Sequence, residues 1–365
     1  MLWFWIFVAP ALILALVSLR GERTRAGYVA ARMAELAEPP ARPLPFVSLI
    51  VTVGRSTAGL REALLSLGSQ DYPTYELIVS APHADDIPPD ALPPKVKVAL
   101  GGGVDRIPSL LAGMRGARRQ VEVFAFAGSN GVVSRTWLRA LVAPLSDQGV
   151  GACTGFRWYA PDPPTFWSLA QSVWNSVIAG RLGPGGNDFA WGGALAITKD
   201  VLLAVRSAEC WDGVERDDLP LARALDKMQR LIAFSPGAMV VCDGRPAARQ
   251  FFRQARREMA AVRTYLPRLW WTALLSHAVY CGAMLVIGIA IARGSRGAEW
   301  ALVALFGLGM LKGANRATLA KAQLPEWKAW FDRYSWTHTF WLPFTTWLWL
   351  YILIASLWSK QRNSQ

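Results

Sequence analysis

The chain has 365 residues, enough for one large domain or two smaller ones with ample core. Hydrophobic residues make up 53% of it and 18 are Trp, a composition that argues against a wholly soluble protein and for one part membrane, part globular. The formal charge of +13 would suit nucleic acid or an anionic membrane surface; Lys and Arg gather beside the apolar segments and no nucleic-acid module is recognisable, so the membrane surface is the expected partner and nucleic acid is not.

The chain opens on "MLWFWIFVAPALILALVSLR", an apolar run of spanning length with no basic residue ahead of it and Arg20, Arg23 and Arg25 behind it. A cleaved signal peptide would carry its positive charge in front and end on a small-x-small site. The pattern therefore predicts an uncleaved transmembrane anchor over residues 1–20, its N-terminus outside and its basic flank in the cytoplasm.

A Pro-rich linker, "AEPPARPLP", leads into "FVSLIVTVG", a β-branched run of strand length, and then a helical pattern, "AGLREALLSLGSQ". "YELIVSA" ends in an acidic loop, "PHADDIPPD"; "KVKVALGGG" reads as strand and Gly-rich loop, "IPSLLAGMRGA" as helix, and "VEVFAFA" as a fourth strand. Strands alternating with helices predict an α/β domain with a mostly parallel sheet, over residues 44–240. Ligands on such sheets bind outside the carboxyl ends of the strands. Gly54 to Gly59, His83 to Asp86, Gly101 to Asp105 and Gly128 to Asn130 all fall there.

From Arg245 to Arg268 there are seven Arg and one acid, Glu258, with Phe251, Phe252, Ala255, Met259 and Val262 at helical spacing. The stripe predicts a basic amphipathic helix over 245–268, lying on the inner membrane face or simply solvated. The region 269–360 is apolar again. "LWWTALLSHAVYCGAMLVIGIAIARG" and "HTFWLPFTTWLWLYILIASLW" are long enough to span a bilayer, and "AEWALVALFGLGMLKG" is marginal. Lys312, Arg316 and Lys321 would put the loop after the marginal segment inside, which leaves Lys360 and Arg362 outside against the positive-inside rule. Either that segment is re-entrant or the tail is an exception. Cys153, Cys210, Cys242 and Cys281 lie far apart, which argues against a zinc site or a disulfide framework. Too few spans beside too large a globular part exclude a transporter.

Four segments together resemble the family 2 glycosyltransferases, in particular the ceramide glucosyltransferase branch (family 21) with its bacterial membrane relatives. They are "VSLIVTV…LREALLSLGSQDYPTYELIV", "FAGSNGVVSRTWLRALVAPL…VGACTGFRWY", "FAWGGALAITKDVL…DDLPLARAL" and "QARRE…YLPRLW". The resemblance implies a GT-A-like nucleotide-sugar-binding domain on the cytoplasmic side of an integral, multi-pass membrane protein of the bacterial inner membrane. It also implies a UDP-sugar as donor, a lipid hydroxyl such as that of ceramide or a hopanoid-like lipid as acceptor, and a divalent cation, Mg or Mn.

Residue by residue, the resemblance implies that Asp217-Asp218 is the catalytic pair, with Asp218 preferred as the base that takes the acceptor proton. Helix-start charge is the plain alternative for that pair. Asp85 and Asp86 match the loop that would recognise the uridine end, and surface turn residues are the alternative. Gln254 and Arg257 face the diphosphate and acceptor, a role to which a permanently charged guanidinium is suited; a shifted register would use Gln250 and Arg253. Trp191, Gly192 and Gly193 match the acceptor-side turn against the sugar, and a plain tight loop is the alternative.

The chain departs from the pattern on the donor side. Gly128-Ser129-Asn130 stands where the family has an acid-Ser-acid triplet, which leaves Ser129 and Asn130 as donor-side groups and Asn130 as a weak metal ligand. Arg55 replaces an expected Asp and Glu258 replaces a Trp. A metal-independent site with Arg55 or Arg257 neutralising the diphosphate is one reading; the other is a domain that keeps the fold to bind a lipid or a partner enzyme without catalysis.

Overall fold

A computed structural model of the chain describes residues 2–40, 42–54, 59–102, 106–187, 189–205, 210–214 and 216–359. In chain order it contains helix α1 (Leu2–Ala37), β1 (Val47–Thr52), α2 (Leu60–Gly68), β2 (Tyr75–Ala81), β3 (Lys97–Leu100), α3 (Arg106–Arg115), β4 (Val123–Gly128) and β5 (Val132–Val133). There follow α4 (Trp137–Val142), β6 (Val150–Tyr159), α5 (Phe166–Ala179), β7 (Ala194–Thr198), α6 (Lys199–Ala204), α7 (Asp218–Lys227) and β8 (Leu231–Cys242). Four long helices close the chain: α8 (Ala248–Tyr265), α9 (Pro267–Ala292), α10 (Arg296–Gln323) and α11 (Lys328–Ala355). Among the described residues the chain divides into two compact units, one of residues 2–27, 159–181 and 244–359 and the other of 28–158 and 182–243.

The second unit is a mixed α/β domain around one eight-stranded sheet of order β3-β2-β1-β4-β7-β6-β8-β5. β3, β2, β1 and β4 run parallel, as the alternation of strands and helices predicts. β7 then pairs antiparallel with both β4 and β6, and β5 pairs antiparallel with β8. All six residues of β1, "VSLIVT", are buried, the signature of a parallel strand covered on both faces. Ile50, Phe126, Leu195, Ile197, Leu221 and Leu225 meet in the core, each contributing about 2–3 kcal/mol of burial. The parallel run brings the carboxyl ends of four strands to one edge. Arg55 to Thr57 and Gly103 to Asp105, which the sequence puts at that edge, lie outside the described residues.

α1, whose residues up to Gly27 belong to the other unit, continues as one helix past the apolar run that ends near residue 20, to Ala37. Ala, Arg, Glu and Leu dominate that continuation and are good helix formers, and the stop comes at Pro39-Pro40. Among the described residues three helices are long and apolar enough to cross a membrane: Phe4–Ala37, Pro267–Ala292 and Pro325–Trp358. The marginal segment lies within α10, a continuous helix of 28 residues that packs closely on α11. A Cβ on Gly313 would stand 2.0 Å from the His338 carbonyl, so only glycine permits this approach. Buried Glu22 accepts from Arg316 Nε at 2.5 Å, which neutralises both charges. Trp336, Phe340, Phe344, Trp347 and Tyr351 form an exposed apolar stripe along α11, the surface that lipid contact requires.

α8 lies within the segment expected to form a basic amphipathic helix. Phe251, Ala255 and Met259 of α8 are buried against Trp174, Trp270, Trp349, Ile352 and Leu353, so neighbouring helices, not lipid, cover that face.

At Gly155 the sheet leaves no room for a side chain. A Cβ on Gly155 of β6 would lie 1.8 Å from the carbonyl oxygen of Ala238 on the neighbouring β8. Gly155→Ala is therefore expected to cost about 1–3 kcal/mol or more. Thermal unfolding in detergent checks this; a midpoint within a degree of wild type would refute the tight strand approach.

Candidate active site

The site is built on the turn Trp191–Gly193, which enters β7. Gly128 N–H, at the carboxyl end of β4, donates to the Gly193 carbonyl at 3.1 Å, and Trp191 N–H donates to Thr154 Oγ1 at 2.9 Å. The Trp191 ring lies edge-on to Phe156, centroids 5.9 Å apart, with the Arg157 guanidinium 5.8 Å from its centre. A Cβ on Gly193 would strike that ring at 2.4 Å. The turn is thus held by sheet on one side and by indole on the other.

Behind it stand Asp217 and Asp218, exposed to only 3% and 4%. Asp217 immediately precedes α7, and its carbonyl accepts from the Trp211 indole at 2.9 Å. Trp211 in turn meets Phe126 of β4 edge-on, which ties the start of α7 to the central sheet. Gly192 makes room for the acids: its Cβ would come within 2.6 Å of Asp217 Oδ2.

The two carboxylates are held differently. Asp218 is closed by Arg216, whose Nε and Nη2 donate to Oδ1 and Oδ2 at 3.0 and 2.8 Å, while Leu219 N–H donates to Oδ1 at 2.9 Å. Burial pushes its pKa up, but the charge and hydrogen bonds of Arg216 outweigh burial and hold it below the usual carboxylate range. Asp217 Oδ2 faces Arg106 Nη2 at 3.2 Å yet accepts no hydrogen bond. Burial raises its pKa, and the partly exposed Arg106 offsets only part of that rise. The resemblance points to Asp218 as base; in the structure Asp218 is engaged on both oxygens, whereas Asp217 Oδ2 faces Arg106.

The structure brings together Asp217, Asp218, Trp191, Gly192, Gly193 and, through Gly128, the Ser129-Asn130 pair. Asn130 is exposed and Ser129 half-buried. Gln70, within the segment "SLGSQDYP", fixes the chain that follows them, accepting from Leu138 N–H at 2.8 Å and donating to the Ser134 carbonyl at 3.0 Å. Asp85 is exposed on a short turn beyond β2, and Asp86 accepts from His83 N–H at 3.2 Å within that same turn. Gln254 and Arg257 sit on the exposed face of α8 in the other unit, where Gln254 donates to Glu258 at 3.2 Å. Arg106 and Arg216 are absent from the sequence reading. Arg216 is adjacent to the acids and could have been noticed; Arg106 opens α3 far upstream and only the fold delivers it.

The donor set does not suit a divalent cation. Gly128 offers no ligand, Asn130 only an amide oxygen, and both acids already face guanidinium groups. Among the described residues no group of three or more His, Cys, Asp or Glu could hold a metal.

No protein-family model matches the chain, and no curated protein is similar to it. Among solved structures, a mycobacterial protein is similar at 17% identity and a TM-score of 0.40, over 65% of this chain and 78% of that one. GalNAc-T7 with UDP, GalNAc and Mn2+ is similar at 14% identity and a TM-score of 0.40, over 58% of this chain and 48% of its own. At that level neither likeness bears on function.

The two acids should respond oppositely to pH. A raised native pKa at Asp217 gives stability that is present below the ordinary carboxylate range and lost as pH rises through the native value. A depressed one at Asp218 gives stability present above that range and lost as pH falls through the native value. Asp217→Asn should therefore gain on wild type as pH rises, and Asp218→Asn should lose on wild type by most at neutral pH. Thermal midpoints between pH 3 and 8 check this; the same sign for both variants would remove the asymmetry.

Proposed function

We propose that the chain is a membrane-bound glycosyltransferase that moves a sugar from a nucleoside diphosphate donor, a UDP-sugar, to a hydroxyl of a membrane lipid such as a ceramide or hopanoid-like acceptor. The observation that carries this reading is Asp217, a buried carboxylate with one oxygen free of hydrogen bonds, beneath a turn at the carboxyl edge of a nucleotide-binding type of sheet. The motif order of family 2, expected to bring a GT-A-like fold, supports it. So does the parallel order β3-β2-β1-β4. Three helices of membrane-crossing length support a lipid acceptor, since an enzyme held at the bilayer meets its lipid substrate there.

In the reaction, Asp217 takes the proton of the acceptor hydroxyl. The acceptor oxygen forms the new bond to the anomeric carbon as the bond from that carbon to the diphosphate oxygen breaks. The electron pair leaves with the nucleoside diphosphate. Asp218 keeps the start of α7 in place through Arg216 and Leu219, and Trp191 supplies an aromatic face for the sugar or acceptor. Asp85 and Asp86 remain the proposed uridine-side groups, and Gln254 and Arg257 the proposed diphosphate and acceptor groups.

The acid-free triplet Gly128-Ser129-Asn130 favours a second reading, a domain that binds a lipid or a partner enzyme without transfer. The test is transfer of label from radioactive nucleotide-sugars into the organic phase, using purified protein with mixed membrane lipids. The wild type should produce labelled lipid, and Asp217→Asn should lower the rate by about 10²- to 10⁴-fold with donor binding retained. Undiminished turnover in Asp217→Asn would remove it as base. Absence of transfer from every donor would favour the second reading.

A further inference from the structure

We infer that Arg106 is the fixed cation of the donor site, binding the diphosphate in the place a divalent metal would otherwise take. The inference rests on the glycosyltransferase reading above. A leaving diphosphate needs positive charge as its bond to the sugar breaks, and the described acids do not form a metal site. A fixed positive charge at the same place can supply it, alone or beside the proposed Arg257.

Three guanidinium groups surround the Trp191–Gly193 turn. Arg216 is committed to Asp218 through two hydrogen bonds, and Arg157 lies over the Trp191 ring. Arg106 differs from both. Its Nη2 donates to the Gly192 carbonyl at 2.7 Å and faces Asp217 Oδ2 at 3.2 Å. Its Nε is buried with no hydrogen-bond partner among the described residues, while about a third of the side chain (32%) remains open to solvent. The turn it grips at Gly192 is bonded at Gly193 to Gly128, the first residue of the acid-free triplet. Arg106 therefore reaches the same small region from which the expected metal-binding acids are missing.

The pairing with Asp217 couples the two halves of the reaction. While Asp217 is ionised it neutralises Arg106. When Asp217 accepts the acceptor's proton, that neutralisation ends, and Arg106 carries an uncompensated positive charge as the diphosphate gathers negative charge. Proton uptake and leaving-group stabilisation thus become one event, with no ion to recruit.

The test is calorimetric titration of the full-length protein in detergent with UDP, with GDP and CDP in parallel, and with uridine, each with and without chelator. Wild type should bind a nucleoside diphosphate equally well in either condition. Arg106→Gln should weaken that binding about ten- to a hundredfold and leave uridine binding unchanged, with Arg106→Lys in between. The double variant Arg106→Gln/Asp217→Asn removes both charges together and guards against misfolding of the single one. A folded double variant that binds UDP within twofold of wild type would overturn the inference, as would wild-type binding that vanishes with chelator. Wild type that binds no nucleoside diphosphate at all would overturn the glycosyltransferase reading first, and the role of Arg106 with it.

Discussion

Two neighbouring carboxylates, Asp217 and Asp218, are taken out of water beneath one turn, and the residues around them are arranged to meet that electrostatic cost. An ionised carboxylate loses several kcal/mol of solvation on burial unless a partner replaces it. Asp218 has its replacement in full, from a bidentate guanidinium and a backbone N–H. Asp217 faces Arg106 and, among the described residues, accepts no hydrogen bond on Oδ2. The neighbouring residues then divide: one acid is fastened on both oxygens, and the other holds a proton more readily.

The packing around the pair follows from this. Gly192 has to lack a side chain because Asp217 Oδ2 occupies the space where a Cβ would be. Trp211 carries the backbone of Asp217 to Phe126 in the central sheet, and Trp191 is anchored to β6 through Thr154 and Phe156. Each tie runs to a buried strand, so the acids are positioned by the most rigid part of the unit. The helical unit solves a similar problem of its own, where Glu22 and Arg316 neutralise each other in an interior that offers them no water.

Much of the frame was legible in the residue pattern. The apolar run "FVSLIVTVG" reads as a buried strand because β-branched residues pack well on a sheet covered from both sides, and β1 is buried throughout. The stripe of Phe251, Ala255 and Met259 reads as a helix face for the same reason of periodicity. What covers that stripe was not legible, because a periodicity states that a face is apolar and not whether lipid or protein meets it. In α1 the two signals part: hydropathy ends near Arg20, whereas the helix continues to Ala37, just before the prolines.

The site divides along the same line. The adjacent acids and the glycine pair after Trp191 are local patterns, and the sequence by itself determined that they exist and that the triplet before them lacks acids. Only the tertiary structure decided which acid is engaged and which cation faces the other. Arg106 is separated from Asp217 by most of the sheet domain, and the two meet because β4 and β7 pair within one sheet and α3 begins at its edge. Charge pairing across such a distance leaves no local mark in a sequence, since any surface Arg looks the same until the fold brings a buried carboxylate to it.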